Sequence, residues 1–443
     1  MKITDFNPWW KTSEVPKELA GQPREMLPHV WSFMDYRQII LLFGIRRAGK
    51  TTLMHQLIDH LLRDQQVDPF RIVYFSFDLQ ELGLEGILES YELEILQQEI
   101  RDAKKIYLFL DEIQKLSDWS NKVKVLYDQY PNLKIILSGS AALPLQKGTK
   151  ESLAGRFFEF QVNPLSFNEF LEFRGAAIDN TREQIYQREI KLLLSDFLAT
   201  GGFAEAISFS GIALKKYFRE SLLERVIFRD IPESFEINRP ALLMALLEII
   251  ADTPGLYLEY KNLGNDLKVD QRTVANYISY LSHSLLVSKL YNYSANRLTS
   301  EKKMKRIYLS NTCFLSVLSS EKKPELGVLF ETFFANWLNA RFFFRSPQKD
   351  EVDFILYDRK NVLPVEVKIR ERLSKKDLRP MKKFMTRFKC RQALMIAKND
   401  DRIEKEENRE ILILPYWKYW SIKRVIGDLI DSQDATLNSV GYR

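Results

Sequence analysis

The sequence predicts an α/β protein built on a doubly wound parallel sheet. Two observations carry that class. Ile39–Phe43 and Ile106–Leu110 are short continuous apolar stretches, and LKIIL at residues 133–137 is apolar but for Lys134, as expected of strands covered on both faces. Between them stand segments with apolar residues at helical spacing, and strands alternating with helices in this way form parallel sheets.

A chain of 443 residues is long enough for roughly two to four domains. Its 45% hydrophobic and 28% charged residues are those of an ordinary globular protein. No apolar run reaches the roughly 18 residues of a membrane-spanning helix, and the opening MKITDFNPWWKTSEV lacks the apolar core of a secretion signal. Cys313 and Cys390 stand alone, without pairing or metal-ligand spacing, which excludes a zinc site and fits a reducing cytoplasm. The net charge of +6 is compatible with a polyanionic partner, although many metabolic enzymes carry as much.

The first strand runs into GIRRAGKT, Gly44 to Thr51, which matches G-x-x-x-x-G-K-[ST]. Leu53, Leu57 and Leu61 follow at helical spacing, so the motif sits in its required strand–loop–helix context. Gly44 and Gly49 let the main chain curl so that its N–H groups face a phosphate at the positive end of a helix. Lys50 would reach the β- and γ-phosphates and the Thr51 hydroxyl a Mg²⁺ ion, with Thr52 beside it. Arg46 and Arg47 lie within the loop and would bind phosphate, a neighbouring subunit or neither.

The strand Ile106–Leu110 ends in Asp111 and Glu112. One carboxylate there can hold the Mg²⁺ water shell and the next can polarise an attacking water; the plain alternative is an acid capping a helix. Arg71–Gln80 reads as a buried strand between the two. LKIILSGSAAL brings Ser138 and Ser140 to a strand end, either as γ-phosphate sensors or as turn formers. Arg156 stands immediately before a fifth strand, Phe157–Val162.

Taken in order, NPWW, GIRRAGKTTL, LFLDEIQ, LSGS, LAGRF, PLSFNEF and GGFAEA resemble the AAA+ branch of the P-loop ATPases. They are most similar to the bacterial and archaeal ATPases that carry a C-terminal domain of unknown function. The resemblance spans most of the first 210 residues. It implies ATP and Mg²⁺ as cofactors, with Lys50 and Thr51 on the nucleotide and metal, Asp111 on the metal and Glu112 as base. Ser140 becomes the sensor and Arg156 an arginine finger offered to a neighbouring subunit, which makes the protein a homo-oligomer.

Residues 166–238 read as a helical lid, opened by Ser166 with Glu169 three residues on. Tyr260–Leu267 and Gln271–Leu281 form a helix-turn-helix, followed by the strand LLVSKLYNY, the loop SANRLTSEKKMKR and the strand IYLS. In this winged helix Gln271, Arg272, Thr273 and Asn276 start the exposed helix. Arg297, Lys302, Lys303, Lys305 and Arg306 lie on the wing, and both groups suit DNA contact. Winged helices also serve protein packing, with such lysines merely solvated.

Further on, KDEVDFILYDRKNVLPVEVK reads as a hairpin turning at Asp358–Asn361. Glu351 and Asp353 share one face of its first strand, Glu366 and Lys368 one face of its second. With Glu331 on the preceding helix they would hold Mg²⁺ for phosphodiester hydrolysis. The set resembles the PD-(D/E)xK nucleases over residues 326–414, with Val352 where the motif has proline. A plain hairpin, or an inactive nuclease-like docking module, are the alternatives.

The expected architecture is thus a P-loop AAA+ core (1–165), a helical lid (166–238), a winged helix-turn-helix (239–310) and a restriction-endonuclease-like α/β domain (311–443). The expected function is a Mg²⁺-dependent, oligomeric ATPase acting on DNA, without a membrane partner. The alternative is a nucleotide-gated switch that binds protein partners.

Overall fold

The computed structural model describes residues 3–78, 83–145, 153–235, 237–294, 300, 304–320, 324–358 and 361–430. The first sheet holds five parallel strands: β1 (Ile39–Gly44), β2 (Ile72–Ser76), β3 (Ile106–Asp111), β4 (Leu133–Ser140) and β5 (Phe157–Gln161). Their order is β2-β3-β4-β1-β5. β1 lies between β4 and β5, pairing Ile40 with Ile136 and with Phe158. Every residue of β2 is buried and nearly every one of β1, β3 and β4, which is why these strands are largely apolar, with Lys134 of β4 the buried exception whose ammonium donates to three carbonyls. The main helices of this part are α1 (Lys50–Arg63) and α2 (Trp119–Gln129).

β2 is a sheet edge, and NPWW closes it. Asn7 exchanges two hydrogen bonds with the Tyr74 main chain, at 2.9 and 2.7 Å. Trp9 and Trp10 both donate from Nε1 to the Ile72 carbonyl, at 3.0 and 2.9 Å. Satisfying and covering those groups keeps the edge from pairing with another chain.

Past β5 come α3 (Phe167–Phe173) and α4 (Gln187–Thr200). Ser166 caps α3 in a reciprocal box with Glu169. Helical turns then cover Gly211–Lys216, wide π turns Tyr217–Leu223 and Val226–Asp230, and α-helical turns Ile231–Ser234. Next are α5 (Ala241–Asp252) and the helix pair α6 (Tyr260–Leu267) and α7 (Gln271–His283), with Gln271, Arg272 and Asn276 exposed.

The second sheet has nine strands in the order β13-β14-β12-β11-β10-β9-β7-β8-β6. β6 (Leu256–Tyr257) precedes the helix pair in the chain, and β7 (Val287–Asn292) and β8 (Lys305–Leu309) follow it. β9 (Phe342–Arg345), β10 (Glu351–Tyr357), β11 (Val362–Lys368), β12 (Gln392–Ala397), β13 (Arg402–Glu406) and β14 (Arg409–Pro415) complete it. β7 and β9 join the halves by parallel pairing of Tyr291 with Phe342 and Asn292 with Phe343. The segments expected at 239–310 and 311–443 therefore share one continuous sheet.

Three more helices cover this sheet or link it to the rest: α8 (Thr312–Leu318), α9 (Leu326–Trp337) and α10 (Lys375–Phe388). The last helix, α11 (Tyr419–Ile430), returns to residues 166–190, where Trp420 donates from its main chain to Glu183 at 2.9 Å and from its indole to Asn168 at 2.8 Å. Among the described residues no helix is long and apolar enough to cross a membrane.

Candidate functional site

The loop between β1 and α1 carries the GIRRAGKT motif. Gly49 is the residue before α1, with φ at 91°, and a Cβ there would stand 2.8 Å from Nη1 of Arg24. That arginine is buried beneath the loop. It donates to the carbonyls of Ala48 and Asn163, each at 2.8 Å, and pairs with Glu169 at 2.8 Å. Lys50 opens α1 and donates from Nζ to the Gly44 and Ile45 carbonyls at 3.2 and 3.3 Å. Thr51 donates from Oγ1 to Oδ2 of Asp111 at 2.8 Å.

Parallel pairing puts the end of β3 beside the phosphate loop, so the two distant motifs meet. Asp111 is buried and also receives hydrogen bonds from Tyr74, at 2.8 Å, and from Ser138. Glu112 takes a left-handed backbone, φ 54° and ψ 43°, a conformation that costs a non-glycine residue about 1 kcal/mol or more. Its N–H donates to Asp111 at 3.1 Å and to Ser138 at 3.2 Å, which holds the turn. Gln114 donates from Nε2 to the Glu112 carboxylate at 2.5 Å and accepts the Ser140 N–H at 3.3 Å.

These groups line an open cavity whose empty space, solvent at its mouth included, is about 400 Å³, with Gly44, Ile45, Arg46, Lys50, Glu112, Gln114 and Ser140 among the lining residues. Its wall also includes Val226, Asp230 and Ser234, and Ser284 just past α7. Asp230 faces Arg46 at 3.5 Å, and Glu233 pairs with Lys115 at 2.7 Å. Burial pushes the Asp230 carboxyl up, while Arg46 pulls it back.

The predicted residues thus divide. Gly44, Arg46, Lys50, Glu112 and Ser140 line the cavity, and Thr51 and Asp111 lie in contact beneath it. Ser140 Oγ is buried without a partner among the described residues, whereas its neighbour Ser138 is the one that touches Asp111. Arg47 turns its guanidinium to Glu205, lies 5.0 Å from the Tyr217 ring centre and is not among the lining residues. Thr52 lies outside the cavity lining. Arg156 precedes β5 at the sheet's other end, paired with Asp128 at 3.1 Å, so it cannot serve this subunit's own cavity. Sequence reasoning missed Arg24, Tyr74, Asp230 and Ser284, which lie outside the quoted motifs, and Gln114, which closes LFLDEIQ but was given no role.

Residues 36–171 match the family model described as an AAA domain. This segment, which holds the phosphate loop and all five strands of the first sheet, is similar to AAA-type P-loop domains. Residues 191–325 and 326–419 match two families described as domains of unknown function. Two uncharacterized proteins of Methanocaldococcus jannaschii are similar to the whole arrangement. One is 26% identical over 402 residues, covering 87% of this chain and 88% of its own. The other is 28% identical over 425 residues, covering 87% and 84%. The Walker-type ATPase PABY2304 of Pyrococcus abyssi shows a TM-score of 0.40 at 16% identity over 67% of this chain and 95% of its own. An AAA domain implies nucleotide binding with Mg²⁺, and the Thr51–Asp111 contact beside Lys50 suits a phosphate-bound cation.

The second predicted site assembles, with an arginine at its centre. The hairpin faces Asp353 and Glu366 toward each other: Asp353 donates its N–H to Glu366 Oε2 at 3.0 Å, and Val367 donates to Asp353 Oδ2 at 2.9 Å. Lys368 pairs with Glu366 at 2.7 Å. Between the carboxylates comes Arg306, which had been expected on an exposed wing. It lies on β8, buried, with Nη2 2.7 Å from Glu331 and Nη1 3.6 Å from Asp353. Tyr308 also donates to Glu331, at 2.7 Å. Main-chain N–H groups and Lys368 engage both oxygens of Glu366 and one of Asp353, and Arg306 one of Glu331. Among the described residues no group of three His, Cys, Asp or Glu is placed to hold a metal ion. Glu331, Asp353, Glu366 and Lys368, expected to hold Mg²⁺, are joined with Arg306 in an internal ion network. Lys305 is on β8 too, 5.1 Å from the Tyr291 ring centre, while Arg297, Lys302 and Lys303 lie outside the described residues.

Burial pushes the Glu366 carboxyl up to about 8, with Asp353 adding to the rise and Lys368 opposing it. A raised carboxyl keeps its proton in the folded state after the unfolded chain has lost it. Its contribution to stability is therefore complete below the ordinary value of 4.5 and is lost as pH climbs through about 8. The steepest slope is about 1.4 kcal/mol per pH unit. Glu366→Gln is expected to flatten the fall in Tm between pH 5 and 9; the same slope in both proteins would refute the assignment.

Proposed function

We propose that this chain is a Mg²⁺-dependent ATPase, working as a homo-oligomer, whose nucleotide state controls DNA binding or remodelling by a winged helix formed from α6, α7 and β6–β8. The observation that carries the reading is the composition of the cavity wall. One side is the phosphate loop; the other holds Asp230 and Ser284, so the nucleotide site directly adjoins the end of the helix whose start is exposed.

Lys50 and the loop amides bind and orient the triphosphate, and Thr51 with Asp111 holds the metal. Mg²⁺ supplies charge neutralisation at the phosphates. Glu112 takes a proton from the attacking water, positioned by its strained backbone and by Gln114. Any change at the γ-phosphate alters what Val226, Asp230, Ser234 and Ser284 rest against. Arg156, at the far end of the sheet, serves a neighbouring subunit.

Anisotropy of a labelled duplex tests this directly. Affinity is expected to differ by about 5-fold or more between ADP and a non-hydrolysable ATP analogue, the lower end of ordinary coupling energies. Arg272→Glu is expected to weaken binding in both states. Equal affinities, or no salt-dependent binding, would favour the protein-binding switch. The burial of Arg306 gives that second reading its support, because a wing residue is spent on internal packing.

A further inference from the structure

The chain's positive balance is concentrated in one place. Residues 370–391 contain ten Lys and Arg and two Asp and Glu, a net +8 against +6 for all 443 residues, so the remainder is net −2. Most of this segment is α10, whose apolar face of Leu378, Met381, Phe384 and Met385 is buried against the second sheet. Its charges therefore stand on the opposite face. Arg370, Lys382 and Lys383 are engaged by Asp377, Glu406 and Asp350. Arg372, Lys375, Lys376, Arg379, Lys389 and Arg391 are exposed and have no ion-pair partner among the described residues.

This arrangement does not serve the helix. Lys375 and Lys376 occupy its first turn, where the macrodipole disfavours cations. Lys375, Arg379, Lys383 and Arg387 repeat every fourth residue, a like-charge spacing that costs about 0.2–0.5 kcal/mol per pair. A stripe that opposes its own helix points to a polyanion that compensates it. It is about 18 Å long at 1.5 Å per residue, the span of about five phosphates along one DNA strand. With its apolar face buried, α10 has nothing to insert into a lipid surface. The stripe also adjoins the proposed DNA-binding unit: Tyr293, just past β7, packs 6.1 and 5.2 Å from the Phe384 and Phe388 ring centres.

We infer that the exposed face of α10 is a second, sequence-independent DNA surface that grips the phosphate backbone beside the winged helix. This rests on the DNA-binding reading above, and the test separates the two. The probe is a 30-base-pair duplex, titrated from about 50 to 300 mM salt. The variant is Lys375→Glu, Lys376→Glu, Arg379→Glu, whose acids in the first turn favour the helix and so preserve the fold. Its affinity is expected to fall on the order of 10–100-fold, and its log–log salt slope by about 2 to 3. An unchanged slope in this variant, with Arg272→Glu still impaired, overturns the inference and leaves the DNA reading standing. Absence of duplex binding by the parent overturns both. Equal binding of the parent to phosphatidylserine vesicles, lost in the variant, overturns the inference in favour of a membrane surface.

Discussion

Lys50→Ala is expected to reduce ATP turnover about 10²–10³-fold, the usual loss when one preorganised charge is removed from a transition state. Its ammonium hangs from the Gly44 and Ile45 carbonyls at the edge of the cavity, and among the described residues no other lysine lines that cavity. Glu112→Gln provides the contrast. Loss of the base is expected to slow hydrolysis about 10²–10⁴-fold while ATP remains bound, since the amide keeps the size and the Gln114 contact. Phosphate release and nucleotide retention on gel filtration read the two effects separately. Hydrolysis by Lys50→Ala at the parent rate would place the reaction elsewhere in the chain.

The second large effect is on stability. Arg306→Met is expected to cost about 3–5 kcal/mol, the ordinary result of leaving buried carboxylates without their partner. The arginine is surrounded as well as paired. Its guanidinium lies within 5.7 Å of the ring centres of Tyr257, Tyr308 and Phe343 and donates to the Gly255 carbonyl at 3.1 Å. Gly255 has φ at 75°, and a Cβ there would come 2.4 Å from Nη2, so Gly255→Ala should act in the same direction. Adding Glu331→Gln to Arg306→Met should recover part of the loss, because one uncompensated charge goes. Urea unfolding followed by tryptophan fluorescence measures this; a loss below about 1 kcal/mol would show that Arg306 is not the network's counter-ion.

Much of the first domain was legible because its chemistry is local. The strand–loop–helix around Gly44–Thr51 needs contiguous residues, and buried parallel strands announce themselves as apolar runs. Asp111 and Glu112 were found for the same reason, each at the end of such a run. Ser138 and Ser140 alternate on one strand, and sequence could not decide which one faces Asp111. Arg24 and Asp230 were hidden because each acts on the phosphate loop from a distant segment. The acids at 331, 353 and 366 were correctly read as one face of a hairpin and a nearby helix. What was missing was Arg306, a residue that sequence assigned to a solvent-exposed loop.

By itself the sequence located the glycine-rich loop between its strand and helix, the strands of the parallel sheet, and the three acids and a lysine that converge at the hairpin of β10 and β11. Each element among these is specified by its own local periodicity or motif spacing. The tertiary structure alone decided that β7 pairs with β9, which joins two expected domains into one sheet. That pairing carries β8, and Arg306 with it, onto the carboxylates. A buried negative cluster requires a counter-charge, and only three-dimensional packing could show that the chain supplies its own.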